Sequence, residues 1–230
     1  MQKQRIIRLT AALASVALAA ASEAATIPPT EEFAADVSAW EDAAGNPLFW
    51  EPSDSVDDSA YASADMNYFG FSSPFGGGPV VFRANGGDDA SGDAFVGEWL
   101  GEGVTLVSAW VRHDAPADLV FFLRIASSFN FPGAVFAGTD PVAPDTWTQV
   151  LFAIDPNSPL CTGETVSCAQ ALASVGNLQL GTDAPAVLVA LDQAFAIDVD
   201  KVTIVPEPGT GLLLAAGFGL LGLLRRAQRA

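Results

Sequence analysis

The chain has 230 residues and a formal net charge of −17, because 27 acidic residues outnumber ten lysines and arginines. A charge of this sign repels the phosphates of nucleic acids, so it excludes a nucleic-acid-binding protein. Half of the residues are hydrophobic, which is enough to bury the core of one domain.

The first 24 residues have the parts of a secretory signal peptide. Lys3, Arg5 and Arg8 form a basic start, an apolar stretch follows at 9–21, and small residues permit cleavage after Ala24. We therefore predict an exported protein whose mature part is one domain, residues 25–205. This domain has 25 acidic and four basic residues, which favours a well-solvated surface.

The exported domain alternates short apolar runs with clusters of glycine, proline and aspartate, the pattern of an antiparallel β-sandwich. Both faces of the run at 104–111 are mostly apolar, which is typical of a strand in the middle of a sandwich. A short helix is predicted at 169–175. The predicted strands are 80–83, 104–111, 119–125, 146–154, 178–180, 187–191 and 195–205.

The two cysteines, Cys161 and Cys168, both lie in the exported domain. In an oxidising compartment, a pair this close in sequence predicts a local disulfide. Closing so small a loop stabilises the fold by about 2–3 kcal/mol on the chain-entropy model. The residues between the cysteines are turn formers, so we expect a pinned surface loop.

Several landmarks follow one another in an order that resembles carbohydrate-binding-module-like, or galactose-binding-like, jelly rolls. This resemblance covers about residues 30–204 and implies an antiparallel jelly-roll β-sandwich. The expected fold class is therefore all-β, with a signal helix before this domain and a C-terminal transmembrane helix after it. Fold alone does not fix function. The landmarks are Glu31-Glu32-Phe33, Trp40, Trp50, the acidic cluster from Asp54, and the strands 107–112, 147–155 and 195–204.

The same resemblance implies a structural calcium ion between the first and last strands. Calcium prefers six to eight oxygen ligands, mainly carboxylates and backbone carbonyls. The candidate ligands are Glu32 or Asp36 near the start of the domain and Asp198 or Asp200 near its end. The alternative is that these carboxylates face solvent on edge strands, and the acidic loop at 86–93 is a second candidate.

Glycan binding is the second site hypothesis, since aromatic rings stack on sugar rings while polar groups select hydroxyls. Trp50, Tyr61 and Tyr68 lie in polar, loop-like contexts and are the candidates for exposure. Trp110 and Trp147 lie in apolar strands, so we expect them to be buried. For every one of these residues, packing in the core is the alternative.

Few residues suit catalysis. His113 is the single histidine, so it is the only candidate base for a catalytic triad, and a zinc site would lack enough ligands. Because His113 lies at the end of a predicted strand, we expect it to be an exposed loop residue. A carboxylate pair for glycoside hydrolysis stays open as a remote alternative, but no spacing among the acidic residues selects one. We therefore expect a protein that is not an enzyme.

The C-terminal residues have three parts. Pro206-Glu207-Pro208 ends any preceding strand, an uncharged apolar run spans 209–224, and Arg225 and Arg226 follow. Such a span with terminal arginines predicts a membrane helix whose basic end stays in the cytoplasm. Its 16 residues rise about 24 Å, less than most membrane spans, which suits a transient anchor.

This tail, residues 206–230, resembles the PEP-CTERM sorting signal. The resemblance implies recognition and processing by an exosortase, with an inner-membrane-anchored precursor that then reaches the cell surface or the extracellular space. We expect a structural or adhesive role in the envelope or exopolysaccharide layer. A carbohydrate-binding module is the alternative, so the expected partners are an exosortase, the membrane and polysaccharide.

Overall fold

The computed structural model describes residues 29–72 and 78–207, which belong to one compact unit up to Pro206. The described residues form eleven strands and two short α-helices. The strands are β1 (Thr30–Glu31), β2 (Phe49–Glu51), β3 (Tyr61–Asn67), β4 (Val80–Asn85), β5 (Val104–His113), β6 (Leu119–Ala126), β7 (Gly133–Val142), β8 (Thr148–Ala153), β9 (Cys161–Gly163), β10 (Asn177–Thr182) and β11 (Ala194–Pro206). The helices are α1 (Cys168–Leu172) and α2 (Ala186–Val189).

The strands form two antiparallel sheets. The first sheet has the order β2-β3-β11-β5-β8, with β1 added to β11, and the second has the order β4-β10-β6-β7-β9. From β3 onward, successive strands alternate between the sheets, apart from the β6–β7 hairpin and the small edge strand β9. This is the strand order of a jelly roll, so the predicted all-β fold class is confirmed.

The core lies between the two sheets and consists of alternate residues from each strand. In β5, Val107, Ala109 and Val111 are fully buried, and Leu123 of β6 is buried in the opposite sheet. The alternate residues of β5, such as Arg112 next to Val111, face outward. Polar side chains therefore lie together on the outer face of the first sheet.

The predicted strands are present in six of seven cases, and the short helix predicted at 169–175 is α1. The strand predicted at 187–191 is wrong, because α2 covers most of this stretch. Pro185 precedes the helix and accepts a backbone hydrogen bond from Leu188, which closes the first turn. Leu188 is the one buried residue of this helix, so the apolar run is not a strand with an alternating face.

The predicted disulfide joins Cys161 and Cys168, whose Cα atoms are 6.4 Å apart. Cys168 is buried in the core at the start of α1, and Cys161 begins the edge strand β9. Ser167 caps α1 through a capping box with Gln170, which ends the loop between the cysteines. The disulfide therefore pins a short surface segment to the second sheet.

β11 ends at Pro206, the first residue of the Pro206-Glu207-Pro208 motif, as the sequence predicts. Within the two described ranges, no helix has the length and apolar character needed to cross a membrane. The predicted signal peptide at 1–24 and the apolar span at 209–224 lie outside the described residues, as do Pro208, Arg225 and Arg226.

Candidate functional site

The outer face of the first sheet carries a cleft of about 340 Å³. Its lining comes from β2, β3, β11 and β5 and from the loops that follow β5 and precede β8. The lining residues are Glu51, Tyr61, Ser63, Arg112, His113, Asp114, Asp145, Ala196 and Asp198. Asp114, one of these lining residues, comes directly after the last residue of β5. The cleft therefore lies toward the end of the sheet at which β5 ends.

Arg112 is the centre of the polar network in the cleft. Its Nε donates to Asp198 Oδ2 at 2.8 Å, its Nη1 donates to Asp54 Oδ2 at 2.8 Å, and its Nη2 donates to the Tyr61 hydroxyl at 2.9 Å. Burial disfavours the charged guanidinium, but the hydrogen bonds to Asp54 and Asp198 raise the pKa of Arg112 above its ordinary value. Arg112 is therefore a permanent cation with three fixed partners.

Two aromatic rings hold the guanidinium group in place. Its central carbon lies 5.1 Å from the Tyr61 ring centroid and 4.8 Å from that of Trp147, and the two rings meet edge to face at 5.3 Å. Trp147 Nε1 also donates to the Asp54 carbonyl at 2.9 Å. Cation–π attraction adds to the ion pairs. We call Arg112, Asp54, Asp198, Tyr61 and Trp147 the Arg112 cluster.

The loop between β2 and β3, residues 52–60, is bonded across the outer face of the first sheet beside the cleft. Ser55 donates to the buried carboxylate of Asp200, and Lys201 forms an ion pair with Asp57. The hydrogen bond from Lys201 lowers the pKa of Asp57 to about 2. With the Asp54 contacts, these bonds tie the loop to β11 and β5, so the rim of the cleft is fixed.

Asp200→Asn is expected to stabilise the protein at neutral pH. Burial raises the pKa of Asp200, so the folded state favours its neutral form. As the pH rises from the unfolded-state pKa of about 3.9 through the raised folded pKa, wild-type stability falls, whereas the amide does not ionise. Asparagine can still accept from the Lys201 amide and donate to Ser55.

Thermal melts at pH 7 and pH 3 check this expectation. The variant should melt higher than the wild type at pH 7 and no higher at pH 3. Asp198→Asn is the matched control on the same strand, and it should melt lower at pH 7 because it removes the partner of Arg112. A less stable Asp200→Asn protein at pH 7 would contradict the argument.

The three predicted glycan-binding residues have different surroundings. Tyr61 lines the cleft and belongs to the Arg112 cluster, but it is buried, at 8% exposure, so its expected exposure is wrong. Trp50, on β2, is 40% exposed outside the lining, with its indole N–H bonded to the Phe33 carbonyl at 2.7 Å. The expected exposure of Tyr68 is wrong, because its ring is buried near Phe195; burial raises its pKa to about 12 despite a hydrogen bond to Thr182.

Trp110 and Trp147 are half-buried, so the expectation that both are buried is wrong. Trp110 belongs to the outward-facing set of β5, and Trp147 precedes β8 and covers Arg112. Sequence reasoning also missed Arg112. The available signal was a lone arginine in a strand whose other residues are mostly apolar.

His113 does not lie on an exposed loop, and that expectation is wrong. It is the last residue of β5 and is buried, with Nε2 donating to the Val142 carbonyl at 2.9 Å. Because alternate residues of β5 face the core, the position after Arg112 turns inward. The histidine therefore packs between the sheets.

Of the four candidate calcium ligands, three are bonded to other protein groups and one is exposed to solvent. Asp198 binds Arg112, Asp200 accepts from Ser55 and from the Lys201 amide, Asp36 accepts from the Ser38 amide at 2.7 Å, and Glu32 is exposed. Within residues 29–72 and 78–207, no group of three or more histidine, cysteine, aspartate or glutamate side chains is arranged to hold a metal ion. Calcium binding stays a prediction.

Residues 205–230 match the family described as the PEP-CTERM protein-sorting motif. The resemblance of the tail to this signal is therefore confirmed, and the motif indicates an exported protein that is processed at the membrane. No curated protein matches the chain.

Solved structures with a similar fold include carbohydrate-binding modules. The CBM22-1 and GH10 modules of Clostridium thermocellum endo-1,4-β-D-xylanase 10B, complexed with xylohexaose, match at 14% identity over 80% of this chain and 29% of that chain, with a TM-score of 0.47. The CBM22-1 xylan-binding domain of Paenibacillus barcinonensis matches at 11% identity over 77% and 92% of the two chains, with a TM-score of 0.43. An exo-β-agarase matches at 9% identity over 79% and 26%, with a TM-score of 0.49. The match thus spans less than a third of the xylanase and agarase chains, and it concerns the fold alone.

Proposed function

We propose that this chain is the precursor of an exported envelope protein that an exosortase sorts and whose sandwich binds polysaccharide without catalysis. The sorting motif at 205–230 supports the first part. The second part depends on one observation, the Arg112 cluster beside unpaired carboxylates on the outer face of a rigid sheet. An adhesive role in the exopolysaccharide layer then follows from glycan binding.

The cleft has polar groups that are free to meet sugar hydroxyls. Glu51 and Asp145 line it and are exposed, and their side chains make no hydrogen bond or ion pair with any other described residue. Tyr61 and Ser63 add hydroxyl groups to the same lining. The volume of about 340 Å³ lies in the range of small-ligand sites, and a floor fixed by β3, β11 and β5 lowers the entropy cost of binding.

The charge of the lining favours an uncharged glycan. Four carboxylates, those of Glu51, Asp114, Asp145 and Asp198, lie around one arginine, and Asp54 and Asp198 already neutralise that arginine. A uronate or sulfate group would meet like charge here, which costs binding energy. The proposed ligand is therefore a neutral polysaccharide.

A binding role fits these carboxylates better than hydrolysis. Glycosidases need one carboxylic acid to protonate the leaving group and a second carboxylate to act on the other face of the sugar. The Asp198 carboxylate already forms an ion pair with Arg112 Nε at 2.8 Å, so it is not free to contact a leaving group.

The double substitution Glu51→Gln and Asp145→Asn is expected to weaken polysaccharide binding at least tenfold or to abolish it. Each carboxylate hydrogen bond is worth about 1.5–3 kcal/mol, and about 1.4 kcal/mol corresponds to tenfold in affinity. Affinity electrophoresis in gels that contain xylan, mixed-linkage β-glucan or galactan measures the retardation. The melting temperature should not change, since both side chains are exposed and unpaired.

Asp65→Asn is the matched control, because Asp65 is exposed on β3 but lies outside the lining. This variant should bind like the wild type. The proposal is wrong if no neutral polysaccharide retards the wild type, or if the double variant is retarded equally. Release of reducing sugar by the wild type would favour the hydrolase alternative.

A further inference from the structure

We infer that the end of the sandwich at which β11 finishes is a lipid-contacting surface in the membrane-anchored precursor. We call it the exit end, because the chain leaves the sandwich there at Pro206. The inference rests on the proposed membrane anchoring of the tail and does not depend on glycan binding in the cleft.

Backbone pairing places the β6–β7 hairpin at the exit end. Pro206 pairs with Val104, the first residue of β5. The segment before β5 is bonded to the segment before β10, with Gly97 N donating to the Val175 carbonyl at 2.9 Å. The next residue, Gly176, donates to the carbonyl of Ala126 at 2.8 Å. Ala126 ends β6, so residues 127–132 lie at the same end as Pro206.

This hairpin displays apolar side chains to solvent. Phe129 is 89% exposed and Phe131 is 55% exposed, while Leu100, in the loop that leads into β5, is 40% exposed. Single exposed apolar residues are ordinary on protein surfaces. Two exposed phenylalanines on one hairpin, with a leucine at the same end, form an apolar surface that has no partner within the sandwich.

Specific hydrogen bonds hold the backbone of the hairpin. The two exposed phenylalanines are therefore attached to a fixed loop. Arg124 donates to the Asn130 carbonyl at 2.8 Å and to its Oδ1 at 2.9 Å. Ser127 Oγ donates to the Phe131 carbonyl at 2.7 Å, and Asn177 donates to the Ser127 carbonyl at 2.7 Å. These bonds fix the loop while leaving both rings outside the core.

The short connection between the sandwich and the apolar run indicates that the partner of this apolar surface is the lipid bilayer. Only Glu207 and Pro208 separate Pro206 from the apolar run that begins at Gly209. Three residue steps extend to at most about 11 Å. While the apolar run spans the bilayer, the exit end therefore lies within reach of the lipid headgroups, which form a layer several ångströms deep on each side.

The chemistry of this end fits the interface by apolar contact. Phenylalanine and leucine side chains enter the boundary between headgroups and acyl chains. Glu98 and Glu102, in the loop before β5, would be repelled by anionic lipids, so headgroup charge does not drive the contact. The contact should therefore persist when the salt concentration is raised.

A spin label can test this surface in the full-length chain in vesicles of phosphatidylethanolamine and phosphatidylglycerol. Because both native cysteines are joined in the disulfide, a cysteine introduced by Phe129→Cys is the only free thiol. Phe69→Cys is the matched control: Phe69 is 57% exposed and follows β3, whose end pairs with the start of β11, away from Pro206. In vesicles, the label at position 129 should lose accessibility to an aqueous nickel reagent and gain accessibility to oxygen, while the label at 69 stays aqueous.

Three results would overturn the inference, and they are distinguishable. If the protein floats with the vesicles but the labels at positions 129 and 69 are both accessible to the aqueous reagent, the exit end does not contact lipid. Loss of the contact in high salt would show a headgroup interaction instead of apolar insertion. Protein that does not float with the vesicles would refute the anchor itself, while retardation by soluble polysaccharide would still report on the cleft.

Discussion

Arg112→Met is expected to lower the free energy of unfolding by about 3 kcal/mol and to abolish polysaccharide binding. The substitution leaves the Asp198 carboxylate buried on the sheet face without its partner, and losing one partner of a buried ion pair costs about 3–5 kcal/mol. It also frees Asp54 and removes the cation between Tyr61 and Trp147. Denaturant unfolding and affinity electrophoresis measure the two effects.

Two further variants separate charge from geometry at this position. Arg112→Lys keeps the cation but has no planar fork to reach Asp54, Asp198 and Tyr61 together, so its stability should be intermediate. Combining Arg112→Met with Asp198→Asn removes both charges and should recover part of the stability without recovering binding. An Arg112→Met protein as stable as the wild type would show that the cluster contributes little.

In cells that lack the processing enzyme, the protein is expected to keep residues 209–230 and to stay in the membrane fraction. In cells that have the enzyme, the mature protein should lack this segment and leave the membrane fraction. The reason is that the apolar run stays in lipid while the following arginines resist transfer across it. Intact mass spectrometry of fractionated cells gives both results in one experiment.

A passenger fusion provides the control for this prediction. Residues 205–230 attached to an inert exported protein should carry it to the envelope and be processed there. Arg225→Ala combined with Arg226→Ala should weaken retention, because each charged residue at membrane depth costs about 2.5–3.5 kcal/mol. A fusion that stays soluble and uncut in the periplasm would contradict the sorting proposal.

Local periodicity explains which strands were predictable. The run at 104–111 is part of β5 because branched and aromatic side chains fill a central strand, whereas β3 and β7 were not predicted. β3 faces the core through Ala62 and Ala64, and β7 contains Gly138 and Pro141, residues that favour strands weakly. In both, neighbouring strands supply the stabilisation that the local sequence lacks.

The sorting motif, the disulfide and the antiparallel β-sandwich could be predicted from the sequence alone, since each depends on residues that are close in the chain or on short-range alternation. The jelly-roll class rests instead on the resemblance of the landmarks at about 30–204 to carbohydrate-binding-module-like jelly rolls. The site could not be predicted in this way, because it depends on contacts between distant parts of the chain. Arg112 meets Asp54 across 58 positions and Asp198 across 86, through the pairing of β5 with β11 and the loop that crosses them. The same pairing turned His113 inward and put the β6–β7 hairpin beside the exit of the chain. Strand pairing and register set these contacts, and both follow from burying the whole core at once rather than from any local segment.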